Sequence, residues 1–91
     1  MQANLYETIA LQFFKPGHRH HDALATGLCE EAEEVEDALQ MGTREQVLDE
    51  LGDVLWYVTV MANAQNSSLS EIMKINYNKL EAREANGKVK L

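Results

Sequence analysis

Two acidic runs carry the chemistry open to this sequence: Glu30-Glu31-Ala32-Glu33-Glu34 and Glu50-Leu51-Gly52-Asp53. Residues three apart in a helix are neighbours on one face, so Glu31 stands beside Glu34 and Glu50 beside Asp53. At about 100° per residue, Glu31 and Glu34 border an apolar stripe of Leu24, Leu28, Val35 and Leu39. Glu50, Asp53 and Tyr57 border a second stripe of Val47, Leu51, Val54, Leu55, Val58 and Ala62. Two antiparallel helices packed through these stripes would gather four carboxylates in one partly desolvated place, where they repel one another unless a cation sits among them. An all-oxygen donor set suits Mg2+ or Mn2+. The competing reading of an acidic run is a solvated helix face. It is weaker for Glu50 and Asp53, which are embedded in an apolar stretch where an uncompensated carboxylate is costly. A di-iron bundle would require Glu-x-x-His, and all three histidines stand upstream in Gly17-His18-Arg19-His20-His21. That cluster reads as a solvent-exposed loop, with a ligand or phosphate contact as the alternative.

The elements that must position these groups are helices. One proline and five glycines punctuate 91 residues, and no alternating β-branched run is long enough for a strand. The spacing predicts an all-α single domain (1–91). Helix one covers about Asn4 to Phe14, with Leu5, Ile9 and Phe13 on one side, and breaks at Pro16-Gly17. Helix two runs from about His21 to Met41 and stops at Gly42. Thr43 with Gln46 forms a capping box opening helix three, which extends to about Asn66. Ser68 with Glu71 opens helix four, ending near Gly87, and Lys88 to Leu91 is a frayed tail. Helix three is apolar nearly all round, since Trp56 and Val60 fall opposite the Leu51 stripe. Such a helix is normally covered on two sides, and three short neighbours can scarcely do that, so the sequence predicts a homo-oligomer.

Composition narrows the partners. A net charge of -7 argues against a nucleic-acid polymer, whose phosphates demand a basic surface, but not against a single nucleotide held through metal. No apolar run approaches the roughly 20 residues of a membrane span, and Met1 to Ala10 lacks the pattern of a signal peptide. The expectation is a cytoplasmic protein with no membrane contact. The lone Cys29 cannot form an internal disulfide, and its place beside Leu28 suggests a buried, inert thiol.

Three ordered segments carry a resemblance that covers nearly the whole chain: Gly27-Leu28-Cys29-Glu30-Glu31-Ala32-Glu33-Glu34-Val35, then Asp49-Glu50-Leu51-Gly52-Asp53-Val54-Leu55-Trp56-Tyr57, then Asn76-Tyr77-Asn78-Lys79-Leu80-Glu81-Ala82-Arg83. Together they resemble the MazG-type nucleotide pyrophosphohydrolases, all-α enzymes that carry E-E-x-x-E, a spacer, E-x-x-D and an N-x-x-K-L-x-x-R-like segment. The resemblance implies a four-helix MazG-like bundle, completed by oligomerisation into a dimer or a dimer-based tetramer. It implies Mg2+-dependent hydrolysis of (deoxy)nucleoside triphosphates to monophosphate and pyrophosphate, with house-cleaning of the nucleotide pool as a fitting role. By motif position, Glu31, Glu34, Glu50 and Asp53 would be metal ligands and Glu30 would complete the motif. Glu33 is a departure, standing where many relatives have glycine and adding acid near the site.

A carboxylate not fully occupied by metal could take the proton of an attacking water, and Glu30 and Glu34 are the candidates. Asn76, Lys79 and Arg83 share one helix face. On residue type alone Lys79 and Arg83 are surface cations with stems over the core; with the resemblance they become phosphate contacts, and Asn76 a sugar or base contact. Tyr57 either stacks on the nucleotide, hydrogen-bonds it, or packs in the core, and Trp56 packs. The rival to an enzyme is an acidic helical interaction module that binds a partner protein or a structural cation. The two differ in whether the quartet serves turnover or folding.

Overall fold

Gly42 and Thr43 fold the chain back on itself. The computed structural model describes residues 1–14 and 21–87, which form α1 (Ala3–Leu11), α2 (His21–Met41), α3 (Arg44–Ala64) and α4 (Leu69–Ala85), with no strand among the described residues. The expected break at Pro16-Gly17, His18, His20 and the tail from Lys88 lie outside the described residues. The α2–α3 reversal is built from local chemistry. Thr43 Oγ1 accepts the Gln46 N–H at 3.2 Å, and the Gln46 side chain accepts the Thr43 N–H at 2.8 Å, satisfying donors that the helix start leaves open. A Cβ on Gly42 would lie 2.6 Å from that Gln46 oxygen and 2.9 Å from the Ala38 carbonyl, so only glycine lets the box close this tightly behind α2.

The α3 terminus is equally specified. Asn66 takes φ 57°, and the Ser67 and Asn66 N–H groups turn back to the Ala62 and Asn63 carbonyls at 2.9 and 3.0 Å, closing the helix with a left-handed residue that Asn tolerates. The second capping box forms by half. Ser68 Oγ accepts the Glu71 N–H at 3.1 Å, but the Glu71 carboxylate accepts from the Ser67 hydroxyl.

α1 docks across α3 and the start of α4. Its Glu7 carboxylate accepts the Leu69 N–H at 2.7 Å, placing negative charge at the positive end of α4. Its Ala10 carbonyl, near the helix end where no i+4 partner is due, accepts the Trp56 Nε1–H at 3.1 Å. Helix one therefore presents Tyr6, Glu7 and Ala10 to the domain, while the expected face of Leu5, Ile9 and Phe13 points to solvent. It also ends at Leu11, three residues before Phe14.

Among the described residues the buried apolar side chains are Ala10 of α1, Leu24 of α2, Val60 and Ala62 in the C-terminal half of α3 and Leu69 at the start of α4. The covering of α3 differs in part from the expectation. Val60 is closed off at 0% exposure and Trp56 is half-buried within the chain; in the Leu51 stripe Ala62 is buried and Val47, Val54 and Val58 are half-buried, whereas Leu51 and Leu55, with neighbouring Leu48, stand 45, 40 and 48% exposed. Leu39 at the far end of the α2 stripe is exposed too, and so is Cys29, which turns about 100° away from the half-buried Leu28. The face between α2 and α3 is consequently narrower and more acidic than two continuous leucine stripes would make it.

Candidate metal centre

The antiparallel α2–α3 hairpin brings Glu31 and Glu34 of α2 against Glu50 and Asp53 of α3, and one donor oxygen from each of the four lies within 4.8 Å of the others. Glu31 and Glu50 are half-buried; Glu34 and Asp53 remain exposed. Glu31 Oε2 and Glu50 Oε2 are closed to solvent, yet neither has a hydrogen-bond partner among the described residues. Among the described residues no lysine or arginine pairs with any of the four. Such an arrangement is unfavourable as it stands, because each closed-off oxygen has lost water without gaining a donor.

The electrostatics record the conflict. Loss of hydration, followed by the approach of the Glu34 and Glu50 carboxyls, pushes Glu31 up to about 7. Contact with Glu34, then desolvation, raises Glu50. Asp53 is raised by desolvation first and then by the charges of Asp49 and Glu34. All three shifts favour a proton, and no cation among the described residues pairs with these carboxylates. A hard divalent cation would remove the repulsion and satisfy the orphaned oxygens together, so the donor set fits Mg2+ or Mn2+.

The other expected residues stand at different distances from this centre. Glu30 and Glu33 are exposed and outside the quartet. Tyr57, one turn beyond Asp53, is half-buried and meets Trp56 edge-on, with ring centroids 5.1 Å apart. Asn76 and Lys79 are exposed on α4 and Arg83 is half-buried; neither cation forms an ion pair with the quartet within this chain.

Several groups at the site escaped the sequence reading. The Tyr6 phenol of α1 is raised by burial and then by the charge of Asp53, which puts it on the Asp53 side of the quartet. Glu34 and Glu50 also line a cavity of about 430 Å³ toward the hairpin turn, shared with Asp37, Asp49 and Gln46. The i, i+4 pair Tyr6 and Ala10 could have signalled the first. Nothing local signals the second, because Asp37 and Asp49 meet only once the hairpin closes.

Comparison with known proteins places the chain in a family. Residues 19–87 match the MazG nucleotide pyrophosphohydrolase domain. The chain is similar to the Gene 37 protein of Mycobacterium phage L5, 43% identical over 44 residues that make up 48% of this chain and 39% of that protein. The match thus spans about two fifths of that relative's length. No solved structure matches. With all four carboxylates and most of the chain inside the family match, the chain belongs to the MazG nucleotide pyrophosphohydrolase domain family.

Proposed function

We propose that the domain hydrolyses nucleoside triphosphates between the α- and β-phosphates, releasing monophosphate and pyrophosphate, with Mg2+ or Mn2+ held by Glu31, Glu34, Glu50 and Asp53. The observation that carries this reading is the convergence of four carboxylates, two with closed-off oxygens, that have no hydrogen-bond donor or protein cation on those oxygens among the described residues. The bound ion would neutralise the triphosphate and acidify a water. Glu34, exposed and facing both the quartet and the adjoining cavity, is the better placed of the two proton acceptors; Glu30 lies outside the quartet. Tyr57, half-buried one turn beyond Asp53, is proposed to reach the nucleotide by stacking or a hydrogen bond. A role in clearing noncanonical or excess deoxynucleotides suits this chemistry. Incubation with a panel of canonical and modified triphosphates and either metal, read as pyrophosphate release, tests the proposal; no release from any of them would sink it.

Lys79 and Arg83 are proposed to hold phosphates, with Asn76 on the sugar or base. Support comes from their shared face on α4 and their freedom from any ion pair among the described residues. Lys79→Ala is expected to weaken binding of a nonhydrolysable triphosphate by about tenfold, the order of one charge-assisted contact, with little change in melting temperature. Unchanged affinity in calorimetry would return both residues to the surface.

The substrate-binding unit is proposed to be a homodimer or dimer-based tetramer. The exposed Leu48, Leu51 and Leu55 on α3, with Ile72, Ile75 and Leu80 on α4, form more apolar surface than a small monomer usually leaves open. The radius of gyration of 14.8 Å also exceeds the about 12 Å of a compact chain this long. Leu55→Lys should give a folded chain of lower mass, whereas Val60→Asp, which places a charge in the subunit's own core, should unfold it. Light scattering that finds the unmodified protein as a stable 10.3 kDa species would refute the assembly.

A further inference from the structure

We infer that Tyr57, seated in a notch at Gly27 and backed by Trp56, is a positioning residue that sets the spacing of α2 and α3 at the carboxylate quartet. Gly27 is buried on α2 one turn before Glu31, and Tyr57 lies on α3 one turn after Asp53. The two therefore form the layer next to the quartet, about 5.4 Å along the hairpin. A Cβ at Gly27 would stand 2.5 Å from Tyr57 Cε1 and Cζ and 2.6 Å from its hydroxyl oxygen. An ordinary carbon–carbon contact needs about 3.5–4.0 Å. The ring thus occupies the space that any other residue at position 27 would fill.

Trp56 backs the ring on one side. Trp56 meets it edge-on with an interplanar angle of 83°. Trp56 is itself fixed by its hydrogen bond to the Ala10 carbonyl and by Phe14, edge-on at 6.5 Å between centroids. A chain of contacts runs from α1 through Trp56 and Tyr57 to the backbone of α2. Adding one methyl group at Gly27 would therefore be relieved by separating the helices, by about 1 Å on the contact distances above. Metal–oxygen distances tolerate only about 0.2 Å. A change that leaves all four ligands in place is thereby expected to spoil the site.

The inference rests on the divalent-cation reading of the quartet, so its test measures metal directly. Mn2+ is titrated into nucleotide-free protein and read by electron paramagnetic resonance. The unmodified protein should bind Mn2+, and Gly27→Ala should bind it at least about tenfold more weakly, the scale of losing an outer-shell support, with its helical circular dichroism kept. Combining Gly27→Ala with Tyr57→Leu, which trades ring volume for the methyl, should recover most of the affinity. Should Gly27→Ala fail to fold, Tyr57→Leu alone removes the wedge from the other side and should also weaken Mn2+ binding. A residue that only contacts nucleotide, or only packs, would leave Mn2+ affinity unmoved. Gly27→Ala or Tyr57→Leu protein that folds, melts earlier and yet binds Mn2+ as tightly as the unmodified chain overturns the positioning role. Failure of the unmodified protein to bind Mn2+ at all refutes the cation reading and this inference with it.

Discussion

Glu50→Gln is expected to abolish pyrophosphate release while leaving the metal-free protein at least as stable as the unmodified one. The substitution keeps the side chain's shape and removes one of four charges that crowd within 4.8 Å. Glu50 is raised chiefly by its contact with Glu34, and an amide in its place can donate to that carboxylate, turning repulsion into a hydrogen bond. The metal-free melting temperature should hold or rise. Turnover should fall by at least about a hundredfold, the order of losing one group that organises transition-state charge. An acidic module built around a structural cation predicts the opposite pattern: stability in metal falls and there is no turnover to lose. Full activity in Glu50→Gln would remove Glu50 from the ligand set.

The quartet itself was legible because it is written locally. Glu31 with Glu34 and Glu50 with Asp53 need only a helix to become neighbours, and the hairpin that brings the pairs together is announced by Gly42, Thr43 and Gln46 within five residues. The lengths of α2 and α3 follow from the same signals. What the sequence left open is what covers each apolar face. Trp56 and Val60 on one side of α3 and Leu51 and Leu55 on the other are equally apolar by residue type, and the docking of α1 and α4 on α3 decides which is covered more. α1 docks by a side that periodicity does not mark: Leu5, Ile9 and Phe13 share one face, yet the small Ala10 allows the close approach and supplies the carbonyl that accepts from Trp56. The bond from Leu69 to Glu7 spans 62 positions, and the fit of Tyr57 on Gly27 spans thirty, so neither has a local signature. Cys29 shows the same limit in miniature, since adjacency to Leu28 says nothing about a side chain 100° further round the helix.

Metal-free protein should lose stability as pH rises from about 4.5 to about 7, against the habit of most carboxylate-rich proteins. Glu31 has an ordinary value of 4.5 and is pushed up to about 7 in the fold. Between those values the folded chain keeps a proton that the unfolded chain has already released, so the unfolded state binds fewer protons and gains on the folded one with each step in pH. The stability that Glu31 contributes is fully present below about 4.5 and lost as pH rises through about 7; Glu50 and Asp53, raised in the same direction, deepen the loss. A divalent cation reverses the sign, because it binds the ionised carboxylates and its affinity grows as the protons leave. Saturating Mg2+ then stabilises the folded state by mass action, most strongly at the alkaline end. Melting curves in chelator and in Mg2+ at about pH 5 and about pH 8 should therefore diverge as pH rises, with the chelated protein melting earlier at the higher pH. Curves that run parallel, or a chelated protein that grows steadily more stable toward the higher pH, would show that the four carboxylates do not share one strained, cation-seeking site.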